Sequence, residues 1–152
     1  HRAVLELWQV LPVGFAMSAG MRYFYWGDHF TFLTFSGEKY AGDYWVSLRN
    51  YLFFKEYGIS GSWYLSARRY FANKFNYISA TLGFGTAPDE PLLVVSDLDR
   101  LSALSLRMDL SRMINYKLRM HASAGYAYEK YADDRYRNRF SLRVGVYIRL
   151  HS

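Results

Sequence analysis

The sequence predicts an all-β chain: a transmembrane antiparallel up-and-down β-barrel, with about nine strands in its 152 residues. Three observations predict it. Apolar and polar residues alternate at period two, and in stretches such as 115–129 and 140–150 the alternation outlasts the ~5–6 residues of ordinary globular strands. A tilted strand crossing a bilayer needs about 9–11 residues, which these stretches supply. The polar positions carry Gly, Ser, Thr and Arg at mid-strand, as a barrel interior would, whereas a solvated sheet face favours Lys, Glu and Thr. Aromatic residues gather near strand ends, at Phe24-Tyr25-Trp26, Phe53-Phe54, Tyr70-Phe71 and Tyr126/Tyr128/Tyr131. Tyr and Trp rings suit a boundary that is apolar on one side and wet on the other. A large soluble barrel of the lipocalin type is the competing architecture, and strand length and face composition disfavour it.

Composition narrows the classes further. The length fits one domain, residues 1–152. With 15 Tyr, 11 Phe and 4 Trp the chain is too aromatic for disorder. No apolar run approaches the ~18 residues of a spanning helix. The absence of cysteine removes disulfide frameworks and cysteine-based zinc or redox sites. His1-Arg2-Ala3-Val4 shows neither an initiator Met nor a signal-peptide core, so a mature or truncated start is expected.

Each strand follows from its own alternation. Residues 4–10 and 29–35 give two weaker strands. In the second strand Phe15, Met17, Ala19, Met21 and Tyr23 oppose Ala16, Ser18, Gly20 and Arg22. In the fourth Tyr44, Val46, Leu48 and Leu52 oppose Asp43, Ser47 and Arg49. Ile59, Trp63, Leu65 and Ala67 oppose Ser60, Ser62, Tyr64, Ser66 and Arg68, and Ile78, Ala80, Leu82 and Phe84 oppose Ser79, Thr81 and two glycines. Leu104, Leu106, Met108 and Leu110 oppose Ser105, Arg107, Asp109 and Ser111. The eighth strand sets Tyr116 to Tyr128 against Lys117, Arg119, His121, Ser123 and Glu129. The ninth sets Phe140, Leu142, Val144, Val146, Ile148 and Leu150 against Ser141, Arg143, Tyr147 and Arg149.

Connections near 73–74 and 112–115 read as tight, 132–135 as intermediate, and 86–99, with Pro88 and Pro91, as long. Short turns belong on the periplasmic side and longer loops outside. Nine strands put the chain ends on opposite sides, while bacterial single-chain barrels have even counts. Upstream strands are therefore expected, making a barrel of about ten to twelve.

The stretch Gly61-Ser62-Trp63-Tyr64-Leu65-Ser66-Ala67-Arg68-Arg69-Tyr70-Phe71, then Asn76-Tyr77-Ile78 and Leu82-Gly83-Phe84-Gly85-Thr86-Ala87-Pro88-Asp89-Glu90, resembles the YaiO family of outer-membrane β-barrels. So do Met21-Arg22-Tyr23-Phe24 and the closing segment from Gly125-Tyr126 to Tyr147. The resemblance covers nearly all of the chain and the C-terminal part of the family's barrel. It implies a place in the bacterial outer membrane. Relatives often carry tetratricopeptide repeats before the barrel, and some look associated with polysaccharide export. The family supplies no catalytic set, so the fold transfers better than an activity.

The net charge of +6 is the first functional clue. Expected basic lumen positions are Arg22, Arg49, Arg68, Arg107, Lys117, Arg119, Arg143 and Arg149, against Glu6, Asp43, Asp109 and Glu129. Rings of basic residues favour anions in pores, so the leading expectation is a conduit or docking component for an anionic polysaccharide. The alternative is a closed structural barrel whose charges pair across the interior, serving as a subunit of a larger outer-membrane complex. His121-Ala122-Ser123 is similar to the His-x-Ser pair of outer-membrane lipid A deacylases, with Glu129, Asp133 or Asp134 as the orienting acid. That enzyme reading ranks third, and the chain is read as non-enzymatic. Asp89, Glu90, Asp97 and Asp99 match no calcium-loop spacing, and His1, His29, His121 and His151 are too scattered for zinc. No cofactor or metal is expected. Partners are outer-membrane lipids, lipopolysaccharide and other envelope proteins; inward-facing cations argue against nucleic acid.

Overall fold

The computed structural model describes residues 2–25, 29–55, 58–85, 102–132 and 135–148. Nine strands form one sheet: β1 (Arg2–Leu11), β2 (Phe15–Tyr25), β3 (His29–Ala41), β4 (Tyr44–Lys55), β5 (Gly58–Phe71), β6 (Asn73–Gly85), β7 (Ser102–Met113), β8 (Leu118–Ala132) and β9 (Arg135–Ile148). Their spatial order is their chain order, and every neighbouring pair is antiparallel. This is the meander that the alternation predicts. Among the described residues β1 and β9 each pair with one neighbour, so both outer edges of the sheet carry no ladder.

Burial runs opposite to that of a water-soluble protein. Among the described residues Phe24, Phe32 and Ala127 are the buried apolar ones, while the buried polar ones include Ser18, Thr34, Ser36, Ser47, Ser62, Ser79 and Ser111. Leu104, Leu106, Met108 and Leu110 of β7 stand exposed, as do Phe140, Leu142, Val144, Val146 and Ile148 of β9. Water around this surface would cost roughly 25 cal/mol for each Å² of apolar area. Hydrocarbon removes that cost, and the pattern of apolar-out, polar-in is that of a membrane barrel. Among the buried polar residues described, Asn50 is the one on the outward face. It sits between its register partners Phe35 and Trp63 and donates from Nδ2 to the Ser62 carbonyl at 3.1 Å.

The connections at one end are all of four residues or fewer, whereas the long connection, 86–101, leaves from the other end. Pro12–Gly14 joins β1 to β2, Gly42-Asp43 joins β3 to β4, Ala72 joins β5 to β6, and residues 114–117 join β7 to β8. Gly42 has φ 58°, the positive value that a two-residue type II′ hairpin needs at its first position. Asn73 Oδ1 accepts from the amides of Phe75 and Asn76, and Asn115 Oδ1 from those of Lys117 and Leu118. By the turn-length rule this end is periplasmic. At the other end Gly85 has φ 133°, and a Cβ there would strike the Gly61 carbonyl and Ser62.

Several boundaries differ from expectation: β6 begins at Asn73 and β9 at Arg135, before the alternation becomes regular, and three further differences have a visible cause. β3 runs on to Ala41, beyond 35, because its ladder to β4 continues to the Ala41–Tyr44 pair. β8 starts at Leu118, since the Asn115 side chain folds 115–117 into a turn. The 132–135 connection contains only residues 133 and 134, because Ala132 pairs with Arg135. The aromatic girdle also divides. Tyr25, Phe54 and Phe71 are exposed, but Phe24, Phe53 and Tyr70 share the inner face. Phe24 stacks on Phe32 at 5.7 Å and Phe32 meets Phe53 at 4.9 Å. Trp26, the long 86–99 loop and its carboxylates lie outside the described residues.

Candidate functional site: the inner face of the sheet

The inner face divides into a packed half and a roomier half. In the packed half, β1 to β4 bring Glu6, Arg22, Glu38 and Arg49 together. Arg22 Nη2 lies 3.6 Å from Glu6 Oε2, and Arg49 Nη2 lies 4.0 Å from Glu6 Oε1 and 3.8 Å from Glu38 Oε1. Ser18 Oγ donates to Glu6 at 3.0 Å and lies 2.7 Å from Ser36 Oγ. These groups meet because antiparallel register stacks Glu6, Gly20 and Thr34 in one row beside Ser18, Ser36 and Arg49 in another. Charges held this closely neutralise one another locally.

Nearer the short turns, Arg68 is enclosed by aromatic rings. Its guanidinium sits 4.2 Å from the Tyr77 ring centre, 5.0 Å from Trp45 and 5.7 Å from Tyr70. Cation–π attraction at such distances contributes about 0.5–2 kcal/mol per contact. Arg119 lies similarly over Tyr147 at 4.6 Å.

On β7 to β9 the balance changes. Glu129 is fully buried and takes Arg137 Nε at 2.8 Å and Arg139 Nη2 at 3.0 Å. Two guanidiniums thus share one carboxylate. Arg107 and Arg143 stand on the same face, opposite Gly125 and Ser123 respectively. A cavity of about 100 Å³ opens here among Tyr64, Thr81, Ser105, Arg107, Arg139 and Ser141.

Of the residues expected to line the interior, Arg22, Arg49, Arg68, Arg107, Arg119, Arg143, Glu6 and Asp109 occupy inner-face strand positions. Lys117 and Asp43 do not. Both are exposed in short turns, where the alternation of the flanking strand no longer governs direction. Arg149 lies outside the described residues. The acid beside His121 is Asp109, with Nε2–Oδ1 at 3.6 Å, and not Glu129, which the two arginines hold; Asp133 and Asp134 lie outside the described residues. Asp109 pairs with Ser123 across the ladder. It meets the imidazole nitrogen that a nucleophilic serine would use, and both His121 and Ser123 face inward, away from lipid acyl chains. Sequence reading passed over Glu38, Arg137 and Arg139. Extending the parity of Ser141 and Arg143 two turns of the pleat back along β9 places both arginines on the inner face.

A nine-stranded meander with an apolar exterior and a hydroxyl- and arginine-rich interior defines a membrane β-barrel. Residues 1–90, which hold β1 to β6, match the model of the YaiO membrane beta barrel domain, and the chain belongs to that family. It is a bacterial outer-membrane β-barrel protein. The family match contains the Ser62–Phe71 motif and leaves the segment from Gly125 onward beyond it. No curated protein and no solved structure matches the chain.

Proposed function

We propose that this barrel is a non-enzymatic conduit or docking component of the outer membrane for an anionic polysaccharide. One observation carries the reading: among the described residues inner-face arginines exceed inner-face carboxylates, and most of the excess lies on β7 to β9. There Arg107, Arg119, Arg137, Arg139 and Arg143 stand on the inner face with two carboxylates, Glu129, which Arg137 and Arg139 hold, and Asp109, which His121 meets. An interior of that sign concentrates anions and repels cations. The test is the reversal potential of the reconstituted barrel in a planar bilayer under a salt gradient. The reading expects a steady current that prefers anions, with the preference falling when Arg107, Arg119 and Arg143 are changed to Gln together. A folded barrel that passes no current overturns the conduit form.

A second reading rests on the packed half. The Glu6–Arg22–Arg49–Glu38 network and the Arg68 aromatic cluster support a closed structural barrel within a larger envelope complex. Its mark is a silent barrel that copurifies with other outer-membrane proteins. Under either reading the edges of β1 and β9 need partners, because a bilayer tolerates no open sheet edge. The two edge strands run in the same direction. Antiparallel closure therefore requires an odd number of further strands, and we propose a complete barrel of about ten or twelve.

A further inference from the structure

We propose that the cavity between β5 and β9 is a specific oxyanion site, taking the phosphate, sulfate or carboxylate group of an acidic glycan. The inference rests on the anionic-cargo reading and adds a defined place and chemistry to it. Two register rows build the site. One runs Tyr64, Gly83, Ser105, Ala127, Arg139; the next runs Ser66, Thr81, Arg107, Gly125, Ser141. Each row ends its run of small residues with, or contains, one arginine. Small side chains at the centre leave the space, and longer ones at its margin point charge and hydroxyls into it.

Gly125 lines that space, and a Cβ there would lie 2.6 Å from Ser141 Oγ. At Gly83 the Ser105 hydroxyl and the Tyr64 ring occupy the place of a Cβ, at 2.6 Å and 2.7 Å, which brings both against the sheet at the margin of the cavity. By a measure in which one water needs roughly 10–15 Å³, about 100 Å³ accommodates an oxyanion with part of its water. The donors suit such a guest. Guanidiniums bind carboxylate and phosphate through paired N–H groups, and Thr81, Ser105 and Ser141 line the cavity with hydroxyls that can donate. Arg139 is held from behind by Glu129 at 3.0 Å, which fixes its direction. Arg107 stands across the cavity, opposite Gly125.

The experiment is calorimetric titration of the folded barrel in detergent with sodium phosphate, sodium sulfate and sodium glucuronate, each against a chloride background. Saturable binding is expected, weakened at least tenfold in Arg107→Gln and in Gly125→Val, which fills the cavity. Lys117→Gln, with the same change in charge but in a turn, should bind as the parent does. Stronger phosphate and sulfate binding assigns a phosphorylated or sulfated glycan; stronger glucuronate binding assigns a uronate. Absence of binding by all three, or equal weakening in Lys117→Gln, overturns the site. Anion-selective current without binding would sink the site alone, whereas binding in a barrel that carries no current would sink the conduit and leave the site standing.

Discussion

Replacing Met108 with arginine should cost the folded barrel about 2–4 kcal/mol, the penalty for a cation at the lipid-facing midplane. Met108 is at the middle of β7, exposed, and flanked across the ladders by Ala80 and Ala124. Those small neighbours leave room for a longer side chain, so steric conflict does not contribute. Arginine is acceptable at that depth in itself, since Arg107 occupies the next position on the opposite face. The penalty thus reports which face meets hydrocarbon. Leu104→Arg, nearer the strand end, should cost less, because the penalty falls to about 0–1 kcal/mol near the interfaces. Urea unfolding from phospholipid vesicles measures both. Equal, small losses at the two positions would contradict the assignment of faces.

The second large effect is expected at Glu129. Glu129→Gln keeps the size of the side chain and removes the charge that Arg137 and Arg139 share. Breaking a fully buried ion pair costs about 3–5 kcal/mol. The two guanidinium side chains remain 45% and 37% exposed, so water offsets part of that, and about 2 kcal/mol is expected. Arg137→Gln should cost under about 1 kcal/mol, since it is the more exposed partner and Glu129 retains Arg139. The same unfolding experiment ranks the variants. A larger loss for Arg137→Gln than for Glu129→Gln would contradict the geometry.

Most of the fold was legible because a barrel strand reveals itself by a single property, alternation. Nine strands were expected and nine are present among the described residues, including the weak ones at 4–10 and 29–35. Legibility failed where alternation is silent or locally overridden. Gly37-Glu38-Lys39 places a small residue at an outward position and hides the continuation of β3. Asn115 turns the chain with its own side chain, so Lys117 leaves the strand pattern it seemed to share. Aromatic residues at strand ends carry no information about direction unless parity is followed through them. Phe24 and Tyr25 are neighbours in sequence, yet one is buried on the inner face and the other exposed.

The inner-face chemistry was less legible than the strands, because pairing depends on register across strands. Sequence parity placed Glu6, Arg22 and Arg49 on polar faces. Only the ladders bring the first beside both others and add Glu38. Likewise His121 and Ser123 drew attention as a pair on one strand, whereas Asp109, on the neighbouring strand, is what the imidazole meets. The excess of arginine on β7 to β9 follows from the same register and is the basis of the proposed handling of anions.

The assignment of an outward lipid face and an inward aqueous face underlies the entire account, and the chain's lack of cysteine permits a direct measurement. Single cysteines placed in turn at residues 104 to 111 of β7, in the full barrel reconstituted in vesicles, would be treated with a hydrophilic thiol reagent. In parallel, a fluorophore at each position would be tested for quenching by brominated acyl chains. The account predicts strict alternation: labelling at 105, 107, 109 and 111, and lipid quenching at 104, 106, 108 and 110. Labelling at every position, or quenching on the arginine-bearing face, would contradict it.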